Sequence, residues 1–148
     1  SADSGYGAVY FAGPSSSSPL SLQSSIIANN TAGASNVEED LFLASGHGVL
    51  SGGDNLVMST NLPLPPPGVI TVTSDPKLGP LQFNGGATRT RELLPGSPAL
   101  TKGNDNTTPT LTFDQRGPGY PRTTGTGANI TTDIGAIEFD SIFRDGFE

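Results

Sequence analysis

Apolar residues in the first half of the chain fall in short runs: Ala8 to Phe11, Leu20 to Ala28, Leu41 to Leu43, Val49-Leu50 and Leu56 to Met58. The background between them is polar and glycine-rich, and it holds no helix caps. Runs this short, rich in β-branched and aromatic residues, predict strands rather than helices. Asn29-Asn30-Thr31 follows one run and Asp54-Asn55 precedes another, about one solenoid repeat away. That spacing predicts successive coils in which Asn29 and Asn55 stack at a shared corner. Corners need left-handed backbone, which Asn and Gly tolerate, while inward Val, Ile and Leu build a continuous core. Turns of an ordinary β-sandwich are the alternative source of the same pattern.

Pro63-Leu64-Pro65-Pro66-Pro67-Gly68 breaks the pattern. Proline cannot donate to a central ladder and favours an extended polyproline path, so 63–68 reads as a loop leaving the regular coils. Val69 to Thr73 reads as a strand re-entering them. From Asp75 onward turn signals follow one another: Asp75-Pro76, Gly79-Pro80, Asn84-Gly85-Gly86, Pro95-Gly96 and Ser97-Pro98.

The block from Asp75 to Leu100, with Asp114-Gln115-Arg116-Gly117 and Asp133-Ile134-Gly135-Ala136-Ile137-Glu138 after it, resembles the closing segment of bacterial secreted and surface β-helix proteins, the choice-of-anchor domain of Q type. The resemblance runs from about Ser24 to Phe139. It implies an all-β fold: right-handed parallel β-helix coils over 1–73, an irregular C-terminal cap over 74–139, and a short tail at 140–148. The cap would cover the open end of the hydrophobic stack. It also implies export, to the cell surface or the medium. The ending Phe143-Arg144-Asp145-Gly146-Phe147-Glu148 is similar to short endings of some exported proteins, so the tail is a candidate sorting tag. Two positions depart from the family: Arg91 stands where His is common, and Thr101 where an Asp often follows Ser97-Pro98-Ala99-Leu100. The second removes the acid on which a cation or ion pair would depend there.

Hydrophobic residues make up only 33% of the chain, and Gly and Pro contribute 20 and 13 residues. The remaining polar residues are mostly Ser, Thr and Asn rather than blocks of charge, which fits turn-rich β structure better than disorder. A net charge of -7 without a basic cluster argues against nucleic acid and against an anionic membrane surface. No apolar run is long enough for a membrane span, and without Cys there is no disulfide framework. The chain opens in what reads as a turn entering a strand, so Ser1 to Phe11 is expected to abut either the N-terminal fragment of the same precursor or another protomer.

Enzymatic chemistry finds little support. A polysaccharide lyase needs a basic proton acceptor beside calcium-binding acids, yet no Lys or Arg precedes Lys77. A hydrolase needs two carboxylates flanking a sugar bond. Glu38, Glu39, Asp40 and Asp54 are the candidates in the coil half, with the run of three reading equally as a solvated turn. His47, between glycines, has no triad partner pattern. Asn104, Asp105 and Asn106 form an oxygen-rich run that could take calcium, although turn formation by Asx side chains explains it too; no other cofactor is implied. In the cap, Arg116 is expected to bond a carboxylate, Asp133 or Glu138, with Asp114 in the same group. The overall expectation is a non-enzymatic extracellular segment for adhesion, carbohydrate contact or assembly. The alternatives are a glycan-degrading enzyme, with its active site upstream or near 38–54, and a structural filament subunit.

Overall fold

Apolar runs become strands here because each pairs with a run distant in the sequence. The computed structural model describes residues 8–32, 37–38, 40–44, 48–62, 67–104, 111–124 and 131–139, with backbone alone at 31–32 and 37–38. The chain is all-β: no helix occurs among the described residues, and none is long and apolar enough to cross a membrane. It divides into two compact units, Ser1–Pro76 and Lys77–Glu148.

In the first unit, β1 (Val9–Phe11) pairs in parallel with β6 (Leu41–Leu43), and β2 (Pro19–Gln23) with β7 (Val49–Gly53). The strand β3 (Ile26–Ile27) pairs in parallel with β8 (Asn55–Val57), which in turn pairs with β9 (Ile70–Val72). Between the first and second layers lies an antiparallel pair, β4 (Thr31–Ala32) with β5 (Val37–Glu38). Pro19 stands opposite Val49 and Ile26 opposite Leu56, an offset of 30 residues. The next layer is shorter: Asn55 stands opposite Ile70, and Leu41 bridges to Thr60. Residues 63–66 of the proline loop lie outside the described residues, and Pro67 to Val69 turn the chain into β9.

Strand alternation sends Leu41 and Leu43 inward and Phe42 outward, as in β1, where Tyr10 is the outward residue. Ile27, Leu41, Leu43, Val57 and Ile70 form the buried core, flanked by Val9, Leu20, Leu22, Leu50, Leu62 and Val69. The run predicted from Leu20 to Ala28 is cut in two at Ser24, whose φ of 47° turns a corner. Asp54 repeats that corner one layer on, with φ 56°. At Gly52 the two layers approach so closely that a Cβ would stand 1.8 Å from the Leu22 carbonyl oxygen, and its φ is +99°. Only glycine fits both conditions.

The expected Asn29-on-Asn55 stack does not form. Asn29 does occupy a left-handed corner, with φ 61°, but the 30-residue offset sets Ser25 against Asn55. The β4–β5 excursion lies between Asn29 and the next layer, and the two asparagines belong to different corners.

The second unit departs from a purely irregular cap. Its β10 (Leu78–Gln82) and β11 (Thr90–Leu93) form an antiparallel pair, where the sequence predicted only successive turns. Gly79 and Pro80 hide the strand, yet the register shifts between Leu78 and Leu81. Such a bulge is where a strand accepts proline. The rest of the unit is held by turns and by short bridges, Phe113 to Pro121 and Thr124 to Thr131, around Leu93, Ala99, Ile134 and Ile137.

Candidate functional site

Polar side chains carry the corners of the first unit. The start of β8 buries Asn55 completely, where its Oδ1 accepts from the Ser25 N–H at 3.0 Å. Its Nδ2 donates to the carbonyls of Leu22 at 2.8 Å and Val69 at 2.9 Å. One side chain thereby ties three layers of backbone, satisfying groups that the bends at Ser24 and Asp54 remove from the ladder. Asp54 stands at its corner as an acceptor for the Gln23 amide at 3.2 Å.

Asp40 corrects the reading of a solvated acidic turn. It is 1% exposed, and its Oδ1 accepts from the backbone N–H and side-chain amide of Asn30 at 2.9 and 2.8 Å. Oδ2 accepts from the Ser59 N–H at 2.9 Å and from its hydroxyl at 3.1 Å. A carboxylate with four donors already in place is a structural anchor, not an available catalytic base. Only the backbone of Glu38 is described, while Glu39 and His47 lie outside the described residues. Asn104 is half-buried; Asp105, Asn106 and the tail 140–148 also lie outside the described residues. Among the described residues no group of three or more His, Asp or Glu side chains could hold a metal ion.

In the second unit five charged side chains converge. Asp114 receives the Arg116 guanidinium, with Nη2 2.6 Å from Oδ2 and Nε within reach of both oxygens. The same carboxylate accepts from the backbone N–H groups of Arg116 at 2.8 Å and Glu138 at 2.9 Å. Arg116 also donates to the Glu138 backbone carbonyl and lies over the Tyr120 ring at 4.1 Å. Arg116 therefore bonds a carboxylate as expected, but the partner is Asp114, two residues away, rather than Asp133 or Glu138.

The partner of Glu138 is Arg122, which the sequence had not marked. Arg122 Nη1 lies 2.9 Å from Glu138 Oε1, and Nη2 donates to the Asp133 carbonyl at 3.2 Å. The approach to Oε1 is not aligned as a hydrogen bond, so that oxygen has charge contact without a directed donor. Glu138 Oε2 accepts from the Asp133 N–H at 2.9 Å, and Asp133 Oδ2 accepts from the N–H of Phe139, the residue after Glu138, at 2.6 Å. Asp133 Oδ1 accepts from the Thr101 N–H at 2.7 Å. Thus Thr101 meets an acid through its backbone.

Burial pushes the Glu138 carboxyl up to about 8 from 4.5; the Asp133 N–H and Arg122 oppose the rise, and the Asp133 and Asp114 charges add to it. Glu138 is 4% exposed, so the group is withdrawn from solvent.

Exposed aromatic faces are the other chemical feature. Tyr10 stacks on Phe42 with centroids 5.6 Å apart and planes 19° from parallel, on the outward side of the β1–β6 pair. Phe83, beyond β10, is 64% exposed with the Arg89 guanidinium 5.3 Å over its ring. Comparison of the chain with protein-family models, with curated proteins and with solved structures finds no match.

Proposed function

We propose that the chain is a non-enzymatic segment of an exported bacterial right-handed parallel β-helix protein, related to the choice-of-anchor domains. In this reading the strands up to β9 are stacked coils, the second unit is the closing cap, and the segment serves assembly and adhesion outside the cell. The observation that carries it is the set of three parallel pairs, β1–β6, β2–β7 and β3–β8, about one repeat apart. Among the described residues β1, β2 and β3 pair on one side only, which suits the docking of a further coil from an N-terminal fragment or a second protomer. Sedimentation over a range of concentrations tests it: association is expected, and a dispersed, stable monomer of 15.1 kDa throughout would remove the assembly role.

Carbohydrate contact is a second reading, favoured by the outward Tyr10–Phe42 stack, since sugar C–H faces pack on aromatic rings. Glycan-array binding lost in Tyr10→Ala and Phe42→Ala supports it; binding unchanged in both excludes that surface. The enzyme alternative predicts reducing-sugar release that falls in alanine variants at Glu38, Glu39, Asp40 and Asp54. Asp40 is a poor candidate for that role because its acceptors are filled.

A further inference from the structure

We propose that the Asp75–Pro76 peptide bond is a self-cleavage site: in mild acid the Asp75 carboxyl cuts the chain at its own carbonyl, with the Thr73 hydroxyl as hydrogen-bond donor to that carbonyl. Asp75-Pro76 is the one Asp-Pro pair in the sequence, and its bond is the last peptide bond inside the first compact unit. The residue types suit the step. An aspartyl side chain reaches its own carbonyl carbon through a five-membered ring, and such placement makes the attack intramolecular. Proline has no N–H, so no ladder bond holds the departing nitrogen, which leaves as a basic secondary amine.

The folded chain adds the donor. Thr73, the residue after β9, places its N–H on the Val57 carbonyl at 3.0 Å, which fixes it to β8. Its hydroxyl accepts from the Asp75 N–H at 3.2 Å and donates to the Asp75 carbonyl oxygen at 3.0 Å. The first contact occupies a lone pair and leaves the single hydroxyl proton for the carbonyl. That proton stabilises the charge that gathers on the carbonyl oxygen during attack. Asp75 is exposed, so acid and water reach it, whereas Pro76 is fully buried.

In the step itself one carboxylate oxygen bonds to the carbonyl carbon, the bond from that carbon to the Pro76 nitrogen breaks, and a proton from the medium goes to the nitrogen. The product is a cyclic anhydride on Asp75, which water opens to a side-chain and a terminal carboxyl. Pro76 takes up a second proton, and a buried ammonium is costly, so the new ends part rather than rejoin. Among the flanking elements β8 and β9 carry no charged side chain; Lys77 before β10, and Arg91 and Glu92 on β11, take no part. The cut ends the covalent link between the two units, each of which has buried apolar residues of its own: Ile27, Leu41 and Val57 in the first, Leu93, Ala99 and Ile134 in the second.

The test uses the full chain, held in neutral buffer and at the lowest pH at which circular dichroism shows it folded, and followed by intact mass. A synthetic peptide of residues 70–80 in the same buffers is the unstructured reference. Pieces 1–75 and 76–148 are expected in acid, at least about tenfold faster than cleavage of the peptide. Asp75→Glu keeps the carboxyl but enlarges the ring, and should lose the cut. Thr73→Val should slow the folded chain about tenfold and leave the peptide rate unchanged, while Thr73→Ser restores it. A chain that stays whole, or is cut no faster than the peptide, overturns the proposal, as does a folded Thr73→Val chain cut at the wild-type rate. If Thr73→Val fails to fold, the wild-type comparison with the peptide still decides.

Discussion

Replacing Asn55 by alanine removes the only side chain seen to tie the Leu22, Ser25 and Val69 backbones together among the described residues. Three buried or part-buried backbone groups lose their partner: the Ser25 N–H and the carbonyls of Leu22 and Val69. An unsatisfied buried group costs about 1–3 kcal/mol. Water can reach the part-buried corner, and each carbonyl retains a second acceptor site, so the three do not add in full. The expected loss is about 3–5 kcal/mol, a large share of the roughly 5–15 kcal/mol that holds a domain folded. Urea unfolding monitored by the Ile27 and Leu56 amides reads it, and with a slope of about 1.5 kcal/mol/M the midpoint falls by roughly 2–3 M. Asn55→Asp should be at least as harmful, because a carboxylate keeps the Ser25 acceptor but presents negative oxygens to two carbonyls. A loss below about 1 kcal/mol in Asn55→Ala would refute the three-layer tie.

Gly52→Ala and Gly68→Ala should separate backbone strain from layer contact, since both glycines have positive φ but only Gly52 faces another backbone within 4 Å. Gly68→Ala is expected to cost about 1 kcal/mol and Gly52→Ala at least twice that by thermal unfolding; equal costs would show that the layers part easily. Asp40→Asn turns an amide nitrogen toward donors of Asn30 or Ser59 and should cost about 2–3 kcal/mol in urea unfolding, whereas a solvated acid would cost almost nothing. Arg116→Ala leaves the Asp114 carboxylate buried without its counter-charge, and a melting temperature lower by several degrees is expected. Unchanged thermal stability in that variant would contradict the assigned pairing.

Local chemistry made several strands legible. Val9 to Phe11, Leu41 to Leu43 and Leu56-Val57 are short apolar runs with no competing helical period, and they are strands in the structure. The left-handed corner at Asn29 was legible for the same reason, because it depends on one residue's own backbone freedom. The strand at Leu78–Gln82 was not, since its Gly and Pro are turn formers whose acceptance in a strand depends on a bulge made with the partner.

Partner choice lay beyond the sequence. Ser25 rather than Asn29 meets Asn55 because the offset between layers is counted along the folded path. Asp40 is an anchor because Ser59, in a later layer, reaches back to its carboxylate. Arg116 takes the nearby Asp114, and Arg122 is left to meet Glu138. The sequence by itself determined the strand-forming runs, the corners and the presence of a charged motif in the second unit, all properties of a residue and its immediate neighbours. Tertiary structure alone decided which acids are buried, which guanidinium each one meets and which carboxyl is left short of donors, because desolvation and hydrogen-bond competition depend on groups brought together from distant parts of the chain.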